Sequence, residues 1–150
     1  MANVLDVANL IISKTGTIDV WKLQKLVYYC QAWSLVWDNQ PMFSERIEAW
    51  SGGPACVELY QKYKGQHEVK DYDFTSGKIF TSDEIETVDA IIRDYGDKKN
   101  YELRMLTQME DPWLEARGDV PFMHHCENEI THESMKLYYG NLYRKENEFD

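Results

Sequence analysis

The chain has 150 residues, 43% of them hydrophobic, which suits one domain over residues 1–150 with a single buried core. Twenty-six acidic residues against sixteen Lys and Arg give a formal net charge of -10, so we expect neither nucleic acid nor a membrane surface as a partner. Three widely separated cysteines argue against a disulfide framework, and no signal peptide or membrane-spanning run is evident, which predicts a cytoplasmic protein.

Two helices are predicted at the start of the chain. Apolar residues recur at helical spacing behind the capping residue Asn3 and stop at Gly16. Asp19 caps a longer pattern that is apolar on nearly all sides over residues 20–37. Because such a helix is normally the buried centre of a domain, we expect a mainly α (α+β) fold packed around helix 20–37.

A turn around Gly53 is predicted to join a short strand to a helix. Residues 47–50 have the composition of a strand, and residues 78–80 are predicted to pair with them in a small antiparallel β element. Pro54 suits the first turn of a helix, which predicts a helix over residues 54–64.

Three more helices are predicted in the C-terminal half. Thr81 and Glu84 have the spacing of a capping box ahead of an amphipathic stripe that stops at Gly96. A shorter helix follows and breaks before Pro112, because the residue before a proline is pushed out of the helical region. Thr131 is the expected cap of a final helix.

Cys56 follows the turn Gly52-Gly53-Pro54 and invites two chemical interpretations. A phosphate loop needs consecutive free amides, whereas Pro54 lacks one and no Lys-Ser/Thr pair follows. A thiol at a helix N-terminus can have a lowered pKa and act as a nucleophile, but none of the four histidines has a recognised spacing to it. We favour a packing role for Cys56 and keep a cysteine-dependent enzyme as the alternative.

Four residues of metal-ligand type lie close together near the C-terminus: His124, His125, Cys126 and His132. Adjacent histidines point in different directions, and Lys136 stands where a zinc-protease helix has its second histidine. We favour a polar loop ahead of the last helix and expect no cofactor, with a metal-dependent enzyme as the alternative. The sequence leaves open whether the four side chains meet in space.

The five tryptophans and ten tyrosines are an excess that points to binding, because rigid aromatic side chains dominate protein interfaces as well as cores. An acidic surface suits a basic protein partner. We therefore predict that some exposed aromatics and their neighbouring carboxylates contact a protein. The candidate contact residues are Glu45, Trp50, Tyr72 and Tyr143.

Four segments in order carry a resemblance to a known family: KLQKLVYYCQAW (22–33), PMFSERIEAWSGGPACVELYQKY (41–63), ELRMLTQMEDPWLEAR (102–117) and ITHESMKLYYGNL (130–142). Together they resemble the Panacea domain, also described as the SocA-like antitoxin or phage-associated protein family. The resemblance extends over nearly the whole chain.

This resemblance implies a mainly helical domain with a small sheet, found in bacteria and their phages, that acts as the antitoxin of toxin–antitoxin pairs. Cys56 stands where the family usually has an aliphatic residue, which implies packing. Val57 replaces a frequent second proline, and Gln108 a common histidine. The family motif is expected to be structural, and it comprises Leu23, Gln24, Lys25, Leu26, Gly53, Pro54, Glu110, Pro112 and Trp113.

The functional hypothesis is therefore an antitoxin, not an enzyme, that neutralises a cognate toxin by direct protein–protein binding. The toxin is expected to be encoded next to this chain in a bacterium, prophage or phage. One alternative is a proteolytic adaptor that delivers the toxin to an unfoldase–protease, and another is a phage anti-defence protein. A Cys- or metal-dependent enzyme is the least favoured hypothesis.

Overall fold

The computed structural model describes residues 1–70 and 77–147. Within these ranges the chain forms seven helices and five short strands. The helices are α1 (Val4–Thr15), α2 (Val20–Trp37), α3 (Val57–Tyr63), α4 (Ser82–Tyr95), α5 (Asn100–Gln108), α6 (Asp111–Arg117) and α7 (His132–Asn147). The strands are β1 (Ile18–Asp19), β2 (Ile47–Trp50), β3 (Gly53–Ala55), β4 (Glu68–Val69) and β5 (Glu129–Ile130).

Helix α2 is the centre of the fold, and its predicted bounds, residues 20–37, are confirmed. It begins at Asp19, whose Oδ1 accepts a hydrogen bond from the Lys22 amide at 2.8 Å. Helices α1, α3, α4, α5 and α7 all pack against it. The mainly α fold is thus confirmed, because a helix that is apolar all round must be covered on every side. No helix in the described ranges combines the length and apolarity needed to cross a bilayer.

Buried polar side chains on α2 hold the loop that follows it. The Gln31 side-chain carbonyl accepts hydrogen bonds from the amides of Met42 and Phe43, and its amide group donates to the Phe43 carbonyl at 2.8 Å. Ser34 donates to the Gln40 carbonyl at 2.8 Å. The loop therefore finds partners for its backbone against the helix, as a buried backbone must.

The larger sheet has the strand order β3-β2-β5, with all pairs antiparallel, and β1 pairs separately with β4. A strand at residues 78–80 is wrong, because residues 77–80 adopt no strand. Both edges of β2 pair with other strands. The turn at Ser51-Gly52 folds the chain back at once to form β3, and β5 covers the opposite edge.

The helix predicted from Pro54 is also wrong at its start, since Pro54 lies in β3 and α3 begins at Val57. Pro54 faces Ala49, whose amide donates to Asn128 and whose carbonyl accepts from Arg117. Ala49 therefore directs neither backbone group towards β3. Pro54 has no N–H group, and no hydrogen bond between β2 and β3 requires one at this position. An edge strand tolerates proline under this condition.

Gly53 lets the β2–β3 hairpin approach α2 and α5 closely. Its φ of 113° lies in the region that favours glycine. A Cβ at this position would lie 2.9 Å from Lys25 Cε and 3.3 Å from Thr107 Oγ1. Only glycine fits here, for both reasons.

Trp113 of α6 packs beneath the same hairpin. The indole is buried and donates from Nε1 to the Trp50 carbonyl at 2.9 Å. The Arg117 guanidinium lies 4.8 Å from the ring centroid. Arg117 is itself buried and donates to the carbonyls of Ala49, Pro121, Phe122 and His124. The pair therefore holds both the hairpin and the loop before β5.

Replacing Trp113 with alanine tests this packing. We expect Trp113→Ala to lower the free energy of unfolding by about 3–5 kcal/mol, because it opens a cavity and leaves the Trp50 carbonyl without its donor. Leu114→Ala is the matched control, since Leu114 is an exposed neighbour on the same helix. Urea denaturation of both variants measures the difference. Equal stability of the two variants would contradict the assignment.

Candidate partner-binding surface

The motif residues of α2 are buried and hold the fold together. Leu23 and Leu26 lie in the hydrophobic core, and Gln24 is buried beside them. The Gln24 side chain accepts a hydrogen bond from the Cys56 amide at 2.8 Å and donates to the Cys56 carbonyl at 3.0 Å. This paired contact fixes the chain between β3 and α3. Lys25 is also buried.

Cys56 is a packed thiol with no activated character. Its side chain is buried in the core, and the sulfur donates to Glu58 Oε2 at 3.2 Å. Burial raises the pKa of the Cys56 thiol to about 12, and the Glu58 carboxylate acts in the same direction. A nucleophilic cysteine needs the opposite shift, because the thiolate is the reactive species.

The side chains of His125 and His132, two of the four candidate metal ligands, contact different partners. His125 is exposed and its Nε2 lies 2.9 Å from Glu127 Oε1. His132 Nε2 lies 3.3 Å from Gln31 Nε2, and Cys126 is buried. Among residues 1–70 and 77–147, no three His, Cys, Asp or Glu side chains are grouped to hold a metal ion.

Glu110 is the centre of a buried hydrogen-bond network that joins α2, α6 and α7. Its Oε1 accepts from the Tyr29 hydroxyl at 2.7 Å and from the Tyr139 hydroxyl at 2.8 Å. The Tyr28 hydroxyl lies 3.0 Å from that of Tyr139, which already donates to Glu110, so Tyr28 donates to Tyr139. All four side chains are buried. The sequence indicated Glu110 as a motif residue but not this network.

Burial controls the ionisation of this network. It raises the pKa of Glu110 above its ordinary value, although the two tyrosine hydrogen bonds act in the opposite direction. Burial also raises the pKa of Tyr28, Tyr29 and Tyr139 well above the usual tyrosine range. The hydroxyls therefore keep their protons and serve as donors.

The structure does not bring together Glu45, Trp50 and Tyr143, three of the four predicted contact residues. Glu45 accepts a hydrogen bond from the Val4 amide at 3.1 Å, which gives it a structural contact at the start of α1. Trp50 and Tyr143 are partly exposed and line different cavities. Tyr72 lies outside the described residues.

Tyr143 lines a mainly apolar cavity of about 450 Å³, which we call the α2–α7 groove. Its lining comprises Val36, Glu133, Lys136, Leu137, Gly140, Tyr143 and Arg144. Leu137 is 61% exposed and Tyr143 is 42% exposed. Exposed apolar side chains grouped around a concavity are typical of protein interaction sites.

A buried aromatic ring supports the exposed ones beside this groove. Trp37 is 37% exposed and stacks on Trp33 with a centroid distance of 4.9 Å. Tyr143 meets Trp33 edge-on at 6.3 Å. Trp33 is held in turn by a hydrogen bond from its Nε1 to the Tyr95 hydroxyl at 3.2 Å. The exposed rings are therefore preorganised for contact, which lowers the entropic cost of binding.

Carboxylates border this aromatic surface. A second cavity of about 560 Å³ shares Tyr143 and is also lined by Trp37. We call its four carboxylates the acidic flank: Asp38, Asp83, Glu86 and Asp89. Asp89 pairs with Lys14 at 2.8 Å and Asp38 accepts from Thr87, whereas no cation of the described chain pairs with Asp83 or Glu86.

Trp37 belongs to the apolar pattern of residues 20–37, which predicts a buried side chain, yet it is partly exposed. Trp37 is the last residue of the helix, where the stripe passes beyond the covering elements. The sequence carried one signal for this, since Asp38-Asn39-Gln40 follows directly and marks a solvated helix end. Periodicity alone shows which face a residue occupies but not where the covering elements stop.

Comparison with known proteins identifies the family. The sequence model of the family described as "Antitoxin SocA-like, Panacea domain" matches residues 23–114, which is more than half of the chain. The matched range includes every motif residue from Leu23 to Trp113. No curated protein matches the chain, and no solved structure does.

The Glu110 network generates a prediction about pH. Because folding raises the pKa of Glu110, its contribution to stability is fully present below the unfolded-state pKa, about 4.3, and is lost as the pH rises through the folded pKa. Glu110→Gln keeps an acceptor for Tyr29 and Tyr139 and removes this titration. As the pH rises from the unfolded-state pKa through the folded-state pKa of Glu110, we expect the free energy of unfolding of the wild type to fall relative to that of Glu110→Gln. Urea unfolding at each pH measures the difference.

Glu115→Gln serves as the matched control, since Glu115 is an exposed carboxylate on the same helix. Its stability difference from wild type should change little with pH. If the wild-type and Glu110→Gln proteins show the same pH dependence, burial of Glu110 does not govern the network.

Proposed function

Because the chain belongs to the SocA-like antitoxin, Panacea-domain family, we propose that it is an antitoxin that neutralises a cognate protein toxin by direct binding. The observation that supports this mode of action is the preorganised aromatic surface of the α2–α7 groove, with the acidic flank beside it. Family membership supports the antitoxin role in general. The contact surface is inferred from its shape and charge.

The apolar lining of the groove together with the adjoining acidic flank fits an amphipathic segment of the toxin whose basic side chains lie over the flank. An apolar side chain of such a segment would enter between Leu137 and Tyr143, and Lys or Arg side chains would approach Asp83 and Glu86. Rigid aromatic anchors of this kind supply much of the affinity at protein interfaces. Complementary charge raises the association rate and limits the choice of partners.

Neutralisation then follows from occlusion, without a covalent step. The bound antitoxin covers the surface that the toxin uses, in the cytoplasm of a bacterial cell. An adaptor that delivers the toxin to a protease would use the same contact surface. The two mechanisms differ in toxin half-life, which stays constant under occlusion and shortens under delivery.

Tyr143→Ala tests the aromatic anchor. We expect it to weaken binding of the toxin, taken as the product of the adjacent gene, by at least about thirtyfold, equivalent to about 2 kcal/mol, and to abolish rescue of growth. Tyr101→Ala is the matched control, since Tyr101 is 52% exposed on α5 and does not line the groove. Calorimetry with purified proteins and a growth assay measure the two effects.

Circular dichroism and thermal unfolding establish that both tyrosine variants remain folded. Equal loss of binding in Tyr101→Ala, or full rescue by Tyr143→Ala, would remove the groove from the proposal. Absence of any complex between the wild-type chain and the adjacent gene product, together with no rescue, would remove the proposed function itself.

Glu86→Lys tests the acidic flank. Reversal of this charge should slow association with a basic toxin and weaken the dependence of the association rate on salt, because electrostatic steering depends on the local field. Glu115→Lys carries the same charge change on an exposed site of α6, outside the flank. Stopped-flow measurements at low and high salt compare the association rates of the two variants. Identical association rates for both variants would show that the flank does not steer the toxin.

A further inference from the structure

A smaller cavity of about 330 Å³ lies where α2 meets the β2–β3 hairpin, and we call it the Lys25 pocket. It shares no residue with the α2–α7 groove. Its lining comprises Trp21, Lys25, Trp50, Ser51, Gly52, Gly53, Arg104 and His125. The volume is at the lower end of small-ligand pockets and would accept one aromatic ring with a short polar group.

Lys25 is a buried cation that forms no salt bridge within the described ranges. Its side chain is only 2% exposed, yet it lines the pocket. Within the described ranges Nζ makes no hydrogen bond, and it lies 5.5 Å from the centroid of the Trp21 ring. Burial without a counter-charge is costly for an ammonium group. Burial lowers the pKa of Lys25 to about 8, nearby Arg104 acts in the same direction, and the carboxylate of Asp19 acts in the opposite one.

The β2–β3 hairpin packs closely against the Lys25 side chain. Gly53 has no Cβ, and a Cβ there would lie 2.9 Å from Lys25 Cε. The turn above it is held in place by a hydrogen bond from Gln108 Nε2 to the Ser51 carbonyl at 2.9 Å. The hairpin therefore lies directly over an ammonium group that makes no hydrogen bond of its own. A purely structural position would be filled more stably by an apolar side chain of similar volume.

Two indole rings form the apolar part of the pocket. The centroids of Trp21 and Trp50 lie 6.5 Å apart, and Tyr60 packs against both rings. The indole nitrogen of Trp50 already donates to Glu48 at 2.8 Å, so its ring contributes an apolar surface here. Arg104 adds a second cationic side chain to the lining. The pocket thus has a positive lining in a chain whose net charge is -10.

We propose that the Lys25 pocket binds a carboxylate carried on an apolar or aromatic group. The ammonium of Lys25 and the guanidinium of Arg104 contact the carboxylate, and the rings of Trp21 and Trp50 cover the apolar part. We assign a carboxylate rather than a phosphate, because Lys and Arg side chains pair with a carboxylate directly, whereas phosphate sites usually add several convergent backbone amides. The carboxylate belongs either to a small organic acid or to the C-terminus of a protein.

Titration of the full chain with phenylacetate tests this chemistry. The indole signals of Trp21 and Trp50 are followed by NMR, with assignment from Trp21→Phe and Trp50→Phe. We expect phenylacetate to bind at least tenfold more tightly than phenylacetamide, which has the same ring without the charge, and tenfold more tightly than acetate. Equal affinity for phenylacetate and phenylacetamide, or no perturbation at millimolar concentration, would overturn the proposal.

Variants assign the effect to the pocket. Lys25→Met keeps the volume and removes the charge, so we expect the preference for phenylacetate over phenylacetamide to disappear. Should Lys25→Met fail to fold, Arg104→Gln gives an independent test, because Arg104 is exposed. We expect it to weaken phenylacetate binding at least threefold, whereas Arg93→Gln, an exposed arginine outside the pocket, leaves it unchanged. Unchanged affinity in Arg104→Gln would contradict the proposed contact.

Two further measurements are needed. One distinguishes a protein C-terminus from a small organic acid as the source of the carboxylate, and the other distinguishes this proposal from the toxin-binding proposal. Tighter binding of the dipeptide Gly-Phe than of its C-terminal amide and of phenylacetate assigns the pocket to a protein C-terminus, and the reverse order assigns it to a small organic acid. Both outcomes support the carboxylate site. Tyr143→Ala should bind phenylacetate as the wild type does, so failure of the toxin-binding proposal leaves this one testable.

Discussion

The rest of the structure depends on the hydrogen bonds that two buried glutamines on α2 make to the backbone of other segments. Gln24 holds the junction between β3 and α3, and Gln31 holds the loop after α2. Each amide satisfies a donor and an acceptor that would otherwise be buried without partners. An apolar helix alone attracts any apolar surface, whereas these amides accept only backbone groups in one geometry. They convert non-specific burial into a defined arrangement of hairpin, loop and helix.

The tyrosine network around Glu110 plays the corresponding role for the C-terminal half. It connects α2, the start of α6 and the inner face of α7 through hydroxyl donors that converge on one carboxylate oxygen. The same aromatic cluster continues to Trp33, which supports the exposed rings of the groove. The proposed contact surface is therefore an outward extension of the core. Its rigidity has the same origin as the stability of the domain.

Local signals predict the central helix correctly, because the Asp19 cap and the apolar pattern of residues 20–37 depend only on neighbours along the chain. The same holds for the capping box at Thr81 and Glu84. The strand at residues 78–80 was wrong because β2 pairs instead with β5, a segment distant in sequence. The helix start at Pro54 was wrong because the turn at Ser51-Gly52 pairs residues 53–55 with β2. The groove could not be predicted, since Trp37 and Tyr143 meet on Trp33 only in the folded chain.

Gly140 has a consequence for how this surface can change. Glycine in the middle of a helix costs about 1 kcal/mol relative to alanine, yet Gly140 lies within α7. A Cβ there would meet no atom within 4 Å, so core packing does not require the glycine. Any larger side chain would project into the concavity and reduce its depth. Position 140 is thus a natural point at which a single substitution, selected or engineered, redefines which partners can be accommodated while Met135 and Tyr139 preserve the fold.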